Sequence, residues 1–272
     1  MKDNLALKGG TAINLTIFNL PRLSVDIDLD YLITNSKEEM LKSREIIKTI
    51  IDRFMMFQGY SKNIKTRNPH SLDSWIYDYI GASGNRDNIK IEINYSLRSH
   101  ILDSEERSIL NDLFNNQVKV KTLSPIEIFG SKINALLNRA AARDIYDVRN
   151  MINFNLFNES EQVMLRKCVV FYAAISSKEI NKTFNTKVID SINRKKIKTD
   201  LYPVIHRKDD FELESAKNQV KEYISQLMIL TEEESEFLQR FENKEYRPEL
   251  LFKNEKIVER IRTHPMALWK VR

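Results

Sequence analysis

Two aspartates two residues apart, Asp26 and Asp28, are the first side chains in this 272-residue chain whose types and spacing could do chemistry. They lie in Leu23-Ser24-Val25-Asp26-Ile27-Asp28-Leu29, where apolar and polar residues alternate. That period predicts a half-buried strand over 23–33 with Ser24, Asp26, Asp28 and Asp30 on one face. Two carboxylates on one face repel each other unless a cation lies between them. Oxygen donors at this spacing, with positions left for phosphate and water, suit Mg²⁺ or Mn²⁺. The plainer reading is a solvated strand face on which acidic residues simply alternate. An EF-hand is excluded, because the sixth position counted from Asp26 is Tyr31 and the twelfth is Lys37, where that loop needs Gly and Glu.

The second candidate lies just upstream. In Leu7-Lys8-Gly9-Gly10-Thr11 a Gly-Gly-Thr turn opens an apolar segment that Pro21 stops, which predicts a short buried helix from Thr11 to Leu20. Gly10 and Thr11 then stand at a helix start, where unpaired backbone N–H groups and the macrodipole favour an anion. A tight turn before a helix is the plainer reading here too, and no Walker A loop occurs. Taken together the two signals gain meaning, the first for a triphosphate and the second for its metal. Residues 12–25 between them are about long enough for one helix that returns the strand beside the turn.

Positioning these groups requires a sheet. Residues 36–56 read as an amphipathic helix. Residues 74–80 and 88–97 read as strands joined by a Gly81-Ala82-Ser83-Gly84-Asn85 hairpin connection, and residues 118–122 as a further short strand. Ser124 and Pro125 then open a helix over roughly 125–142, with Ser124 as its cap. From about 144 onward only helices are evident. The fold class is therefore α+β: a small mixed sheet with flanking helices over residues 1–122, then a helical domain over 123–272.

Composition narrows the classes. Hydrophobic residues make up 42% and charged residues 30%, and no apolar run approaches the ~20 residues of a spanning helix. The longest, Cys168 to Ile175, reads as buried core. No signal peptide is visible, and a single cysteine, Cys168, excludes an internal disulfide framework; both fit a cytoplasmic protein with no membrane partner. His70, His100, His206 and His264 offer no zinc spacing. The net charge of +5 permits a polyanionic partner without demanding one, and the densest basic run, Asn193 to Lys198, reads as a solvated loop.

Lys8-Gly9-Gly10-Thr11 followed by Arg22-x-Ser24-x-Asp26-x-Asp28 resembles the nucleotidyltransferase motif of the DNA polymerase β superfamily, and more narrowly the AbiEii/AbiGii family of toxins, which includes MenT-like members. Two later stretches carry the same resemblance. One runs from Leu123-Ser124-Pro125-x-Glu127-Ile128-x-x-Ser131-Lys132 through Ala135-Leu136-x-x-Arg139 to Arg143-Asp144-x-x-Asp147; the other comprises Tyr246 to Phe252 and His264-Pro265-x-x-x-Trp269-Lys270. The resemblance implies transfer of a nucleoside monophosphate from an NTP with release of pyrophosphate, in a cleft that the helical domain completes. It implies the toxin of a toxin–antitoxin or abortive-infection system, the 3′ end of tRNA as acceptor and a cognate antitoxin as partner. Lys8, Gly9, Gly10, Thr11, Ser24 and Arg139 would then bind the nucleotide, and Asp26 and Asp28 the metal. The superfamily's third carboxylate falls on Glu92, the acidic residue on the polar face of 89–95, while Asp30 reads as structural.

Lys132 is the candidate in the second half. If one helix runs unbroken, Lys132, Arg139 and Arg143 share a narrow arc and form a cationic stripe that could stabilise a transferring phosphoryl group. Asp144 reads as the cap of a following helix with Asp147 in its first turn, or, by the family pattern, one of them orients Lys132 or the acceptor. The tail motif reads as helix packing. Proteins of the resembled family carry a helical segment before the Lys-Gly-Gly turn, whereas this sequence begins seven residues ahead of Lys8: either the start is truncated or that support is absent. Two other readings stand beside this one: transfer of NMP to a protein side chain, and a non-catalytic nucleotide-binding module.

Overall fold

A computed structural model describes residues 3–66, 71–111, 117–176, 179–180 and 182–272; His70, weighed above as a metal ligand, lies outside them. The chain divides into two compact units. The first comprises Met1–Asn19, Ser24–His100 and Ser104–Leu123; the second comprises Leu20–Leu23, Ile101–Asp103 and Ser124–Arg272.

The first unit is built on a seven-stranded mixed sheet. Its strands are β1 (Leu5–Leu7), β2 (Asp26–Tyr31), β3 (Ser61–Lys62), β4 (Leu72–Ile80), β5 (Arg86–Asn94), β6 (Glu105–Ser108) and β7 (Lys119–Thr122), in the order β3-β4-β5-β2-β1-β7-β6. Strand β2 runs antiparallel to β1 and parallel to β5. One face is covered by α2 (Lys37–Phe57), whose Met40, Ile47, Ile51 and Met55 recur at helical spacing and pack with Tyr31, Trp75, Tyr77, Ile91 and Ile93. Ser36 starts α2 with a capping box to Glu39. Because side chains alternate along a strand, sending Ile27, Leu29 and Tyr31 toward α2 sends Asp26, Asp28 and Asp30 to the opposite face.

Several expectations shift here. The strand carrying the aspartates begins at Asp26, not at 23; Leu23 and Val25 are exposed, and Leu23 donates its backbone N–H to Val204 in the second unit at 2.7 Å. The helix after the turn is short: α1 (Gly9–Ala12) widens at once into a π-type turn over Ile13–Ile17, and Leu20 takes a left-handed φ of 48°. Strands β3 and β6 carry too few apolar residues to be visible in the sequence.

The second unit is helical: α3 (Pro125–Arg139), α4 (Ala142–Asn153), α5 (Glu159–Ile175), α6 (Arg194–Lys196), α7 (Leu213–Leu227), α8 (Glu232–Glu242), α9 (Pro248–Leu251), α10 (Glu255–Arg262) and α11 (Pro265–Val271). Helices α3 and α5 pack so closely that a Cβ on Gly130 would lie 2.5 Å from Cβ of Cys168. Ser124 precedes α3 but makes no side-chain cap. The basic run is not a loop: Asn193 caps the Lys196 N–H and Arg194–Lys196 form one short turn. In the tail, Leu251 and Phe252 are buried as packing residues, but Trp269 is 61% exposed. Among the described residues no helix is long and apolar enough to cross a membrane.

Candidate active site

The Gly-Gly-Thr turn and the strand carboxylates meet within the first unit. Gly9 has a φ of 63°, and a Cβ built on it would lie 2.7 Å from Oδ2 of Asp28. Only glycine satisfies both the left-handed backbone and that approach. The Lys8 N–H donates to the Asp28 carbonyl at 2.9 Å. Thr11 Oγ1 donates to the Asp26 carbonyl and lies 2.8 Å from Oγ of Ser24. Asn14, fully buried, donates to the Gly10 carbonyl at 2.7 Å and holds the turn from behind. Gly9, Gly10, Thr11, Ser24, Asp26 and Asp28 thus form one local constellation.

Register brings two more groups to it. Parallel pairing places Lys90 opposite Asp26 and Glu92 opposite Asp28, all on the polar face. Lys90 Nζ lies 2.8 Å from Glu92 Oε1, both side chains half-buried. Lys8 turns its ammonium to Asp30, 2.5 Å away, and Asp30 is buried with His100 Nε2 3.9 Å from its other oxygen. Burial pushes the Asp28 carboxyl above its usual range; Glu92 and Asp26 push the same way, and Lys8 and Lys90 oppose them. A group held in this state gains from any cation that joins it.

Asp26 and Asp28 fit a divalent ion. Mg²⁺ binds through one or two carboxylates and fills its other positions with water and phosphate oxygens. Gly9 keeps a side chain out of the space beside Asp28. Among the described residues, no three His, Cys, Asp or Glu side chains converge as a complete protein cage, and Glu92 is engaged with Lys90.

The second unit holds a different charge cluster. Lys132 Nζ lies 3.0 Å from both Asp144 Oδ1 and Asp147 Oδ2. Arg139 Nε pairs with Asp144 at 2.7 Å. Arg22 grips Asp147 with a two-toothed contact, Nε and Nη2 each 2.7 Å from a carboxylate oxygen. Asp144, Asp147 and Arg22 are buried, and Arg139 is 62% exposed. Burial alone would depress Lys132, but Asp147 and Asp144 raise its pKa above the ordinary value. Burial would likewise raise Asp144, but Lys132 and Arg139 pull it below.

The continuous cationic stripe does not form. Helix α3 ends at Arg139 because Ala140 adopts a left-handed φ of 47°, and Arg143 falls on α4 instead. Nor does Asp144 cap α4; Ala141 is the cap and Asp144 lies in the first turn. Three participants escape a reading of the sequence by motif role. Arg22 was visible as a named motif position without an assigned role, and Lys90 only as an alternating polar position. Glu127 is buried and accepts N–H bonds from Ile101 and Leu102 at 3.0 and 2.9 Å and the Tyr172 hydroxyl at 2.6 Å. Its signals were a named place in the second motif stretch and a charge in the first turn of an otherwise apolar helix face.

A mixed sheet with paired carboxylates on its polar face and a glycine turn pressed against one of them defines a nucleotidyltransferase core. The chain belongs to the family described as nucleotidyl transferase AbiEii toxin, of type IV toxin–antitoxin systems, which it matches over residues 1–251. Among solved structures it is similar to MenT4, a nucleotidyltransferase toxin from Mycobacterium tuberculosis H37Rv, with 16% identity over 98% of this chain and 85% of that one and a TM-score of 0.61. It is also similar to JHP933 from Helicobacter pylori, with 18% identity over 88% and 90% and a TM-score of 0.50. At these identities the likeness is one of fold. No curated protein sequence matches. The chain is thus a toxin-family nucleotidyltransferase, and its family implies an NTP substrate and an antitoxin partner.

Proposed function

We propose that this enzyme transfers a nucleoside monophosphate from an NTP to the 3′ end of tRNA in a reaction that depends on Mg²⁺ or Mn²⁺. The observation that carries the reading is the approach of Asp28 to Gly9, which joins the phosphate-binding turn to the metal-binding strand. Asp26 and Asp28 would hold the divalent ion. When bound, the ion neutralises phosphate charge and makes an attacking hydroxyl more acidic. Gly9 and Gly10 let backbone approach the phosphates, Asn14 fixes the turn that does so, and Thr11 holds the Asp26 backbone in place. In the second unit, Arg139 brings the surplus positive charge of its cluster to the surface, where it can meet a phosphate group. Lys132, Asp144 and Asp147 serve by fixing that charge. The tRNA acceptor rests on family resemblance and on the mildly basic chain.

The test is incubation of the purified protein with Mg²⁺, each labelled NTP in turn and total RNA. Label should appear on tRNA, vanish with chelator, and be absent in Asp26→Ala/Asp28→Ala. Label on a protein band would move the acceptor to a side chain. Label on tRNA that survives in the double variant would overturn the roles of those two residues.

A further inference from the structure

The carboxylates of the first unit outnumber the cations built around them. Asp26, Asp28, Asp30 and Glu92 share one face of the sheet with Lys8 and Lys90. Lys8 is committed to buried Asp30. Lys8 also offsets Asp28, and Lys90 is the ammonium in contact with Glu92 and in register with Asp26. Its place follows from register: on β5 it lies beside Asp26 across the strand pair and two residues from Glu92, the neighbour of Asp28. On the other flank, β4 presents Ile76 opposite Lys90 and Ser74 opposite Glu92, while Asp78, opposite Asn88, accepts from the Asn63 side chain. Lys90 and Glu92 are both half-buried, which makes a contact of 2.8 Å stronger than an exposed pair.

We propose that Lys90 is the built-in counter-cation of this carboxylate cluster, holding Glu92 in the metal-free protein and releasing it when a divalent ion enters. Without Lys90, Asp26, Asp28 and Glu92 on neighbouring register positions would have Lys8 alone to offset them. With Lys90 in place they are tolerated, at the cost of competition with the metal. Entry of a divalent ion supplies more charge to Asp26 and Asp28 than Lys90 does, and frees Glu92 to turn toward the ion or its water shell. Lys90 is thus a positioning residue that sets how tightly the metal is held. This rests on the metal-dependent reading above.

The test uses the full chain and Mn²⁺ alone, with free Mn²⁺ followed by electron paramagnetic resonance. Lys90→Met keeps the length of the side chain and removes its charge; it should tighten Mn²⁺ binding roughly five- to twentyfold. Lys90→Arg keeps the charge and should bind Mn²⁺ as the unaltered chain does, which guards against a general effect of substitution. In a Glu92→Gln background the gain from Lys90→Met should largely disappear. A purely structural role predicts the opposite sign, since a loosened site binds metal more weakly. If the unaltered chain binds Mn²⁺ and Lys90→Met binds it equally or less tightly, the counter-cation role is overturned while the metal site stands. If Mn²⁺ bound to the unaltered chain is not lost in Asp26→Asn/Asp28→Asn, or no Mn²⁺ binds at all, the metal reading falls and this role with it.

Discussion

The two units each carry a cluster of charged side chains, and the clusters are balanced in opposite ways. In the first, four carboxylates (Asp26, Asp28, Asp30, Glu92) meet two ammonium groups, Lys8 and Lys90. In the second, two carboxylates (Asp144, Asp147) meet three cations, Arg22, Lys132 and Arg139. The first is short of positive charge, the deficit that the proposed divalent ion would fill. The second satisfies its buried members internally and leaves its surplus on Arg139, the exposed one. A cluster built for structure closes its own hydrogen bonds, whereas one built for ligand chemistry leaves a deficit that the ligand fills.

The sharpest way to break this contrast is to remove carboxylates from each side. Asp26→Ala/Asp28→Ala should lower transfer a thousandfold or more, consistent with the several kcal/mol a catalytic metal supplies, while the melting midpoint holds or rises. Simultaneous loss of midpoint would show that the first cluster is structural after all. Arg22→Ala should cost about 3–5 kcal/mol of stability, because it leaves Asp147 buried beside Lys132 without its second partner. Chemical denaturation checks this, and the double variant Arg22→Ala/Asp147→Asn should lose clearly less than the sum of the two single changes. Arg22→Lys should not rescue, since an ammonium cannot reproduce the two-toothed contact.

Gly9→Ala comes next. The left-handed backbone alone costs about 1–2 kcal/mol for a residue with a Cβ, and the new methyl meets Asp28 Oδ2. Mn²⁺ affinity and transfer should both fall, with only a modest change in midpoint. Unchanged Mn²⁺ binding would separate the turn from the carboxylates.

The smallest effects are pH-dependent and opposite in sign. Asp144 has a folded pKa below its ordinary 3.8, so it stabilises the fold above that value and the contribution is lost as pH falls through the lowered one. Asp28 has a folded pKa above 3.8, so its penalty is absent in strong acid and grows as pH rises through the raised value. Asp28→Asn should therefore raise the midpoint at about pH 7 and leave it unchanged near pH 3, whereas Asp144→Asn should lower it at about pH 7 and matter less in acid. Thermal scans of both variants at the two pH values check the pair of signs.

Local pattern determined much of this protein. The alternation around Asp26 and Asp28 and that of 88–94, the helix of 37–57, and the Gly-Gly-Thr turn all follow from side-chain period and backbone freedom within a few residues. The turn and the Asp26/Asp28 stretch among them also carry the family resemblance, so the class of chemistry was legible in the chain. Tertiary structure alone decided which charges meet. Nothing local brings Arg22 to Asp147, 125 residues away, or assigns Leu20–Leu23 and Ile101–Asp103 to the helical unit. Nor does it turn Lys8 to Asp30, or set Lys90 against Glu92 in register with Asp26 and Asp28. The reason is physical: a short-range pattern fixes the face a side chain takes, but the partner of a buried charge is fixed by strand register and helix packing, which depend on the whole fold.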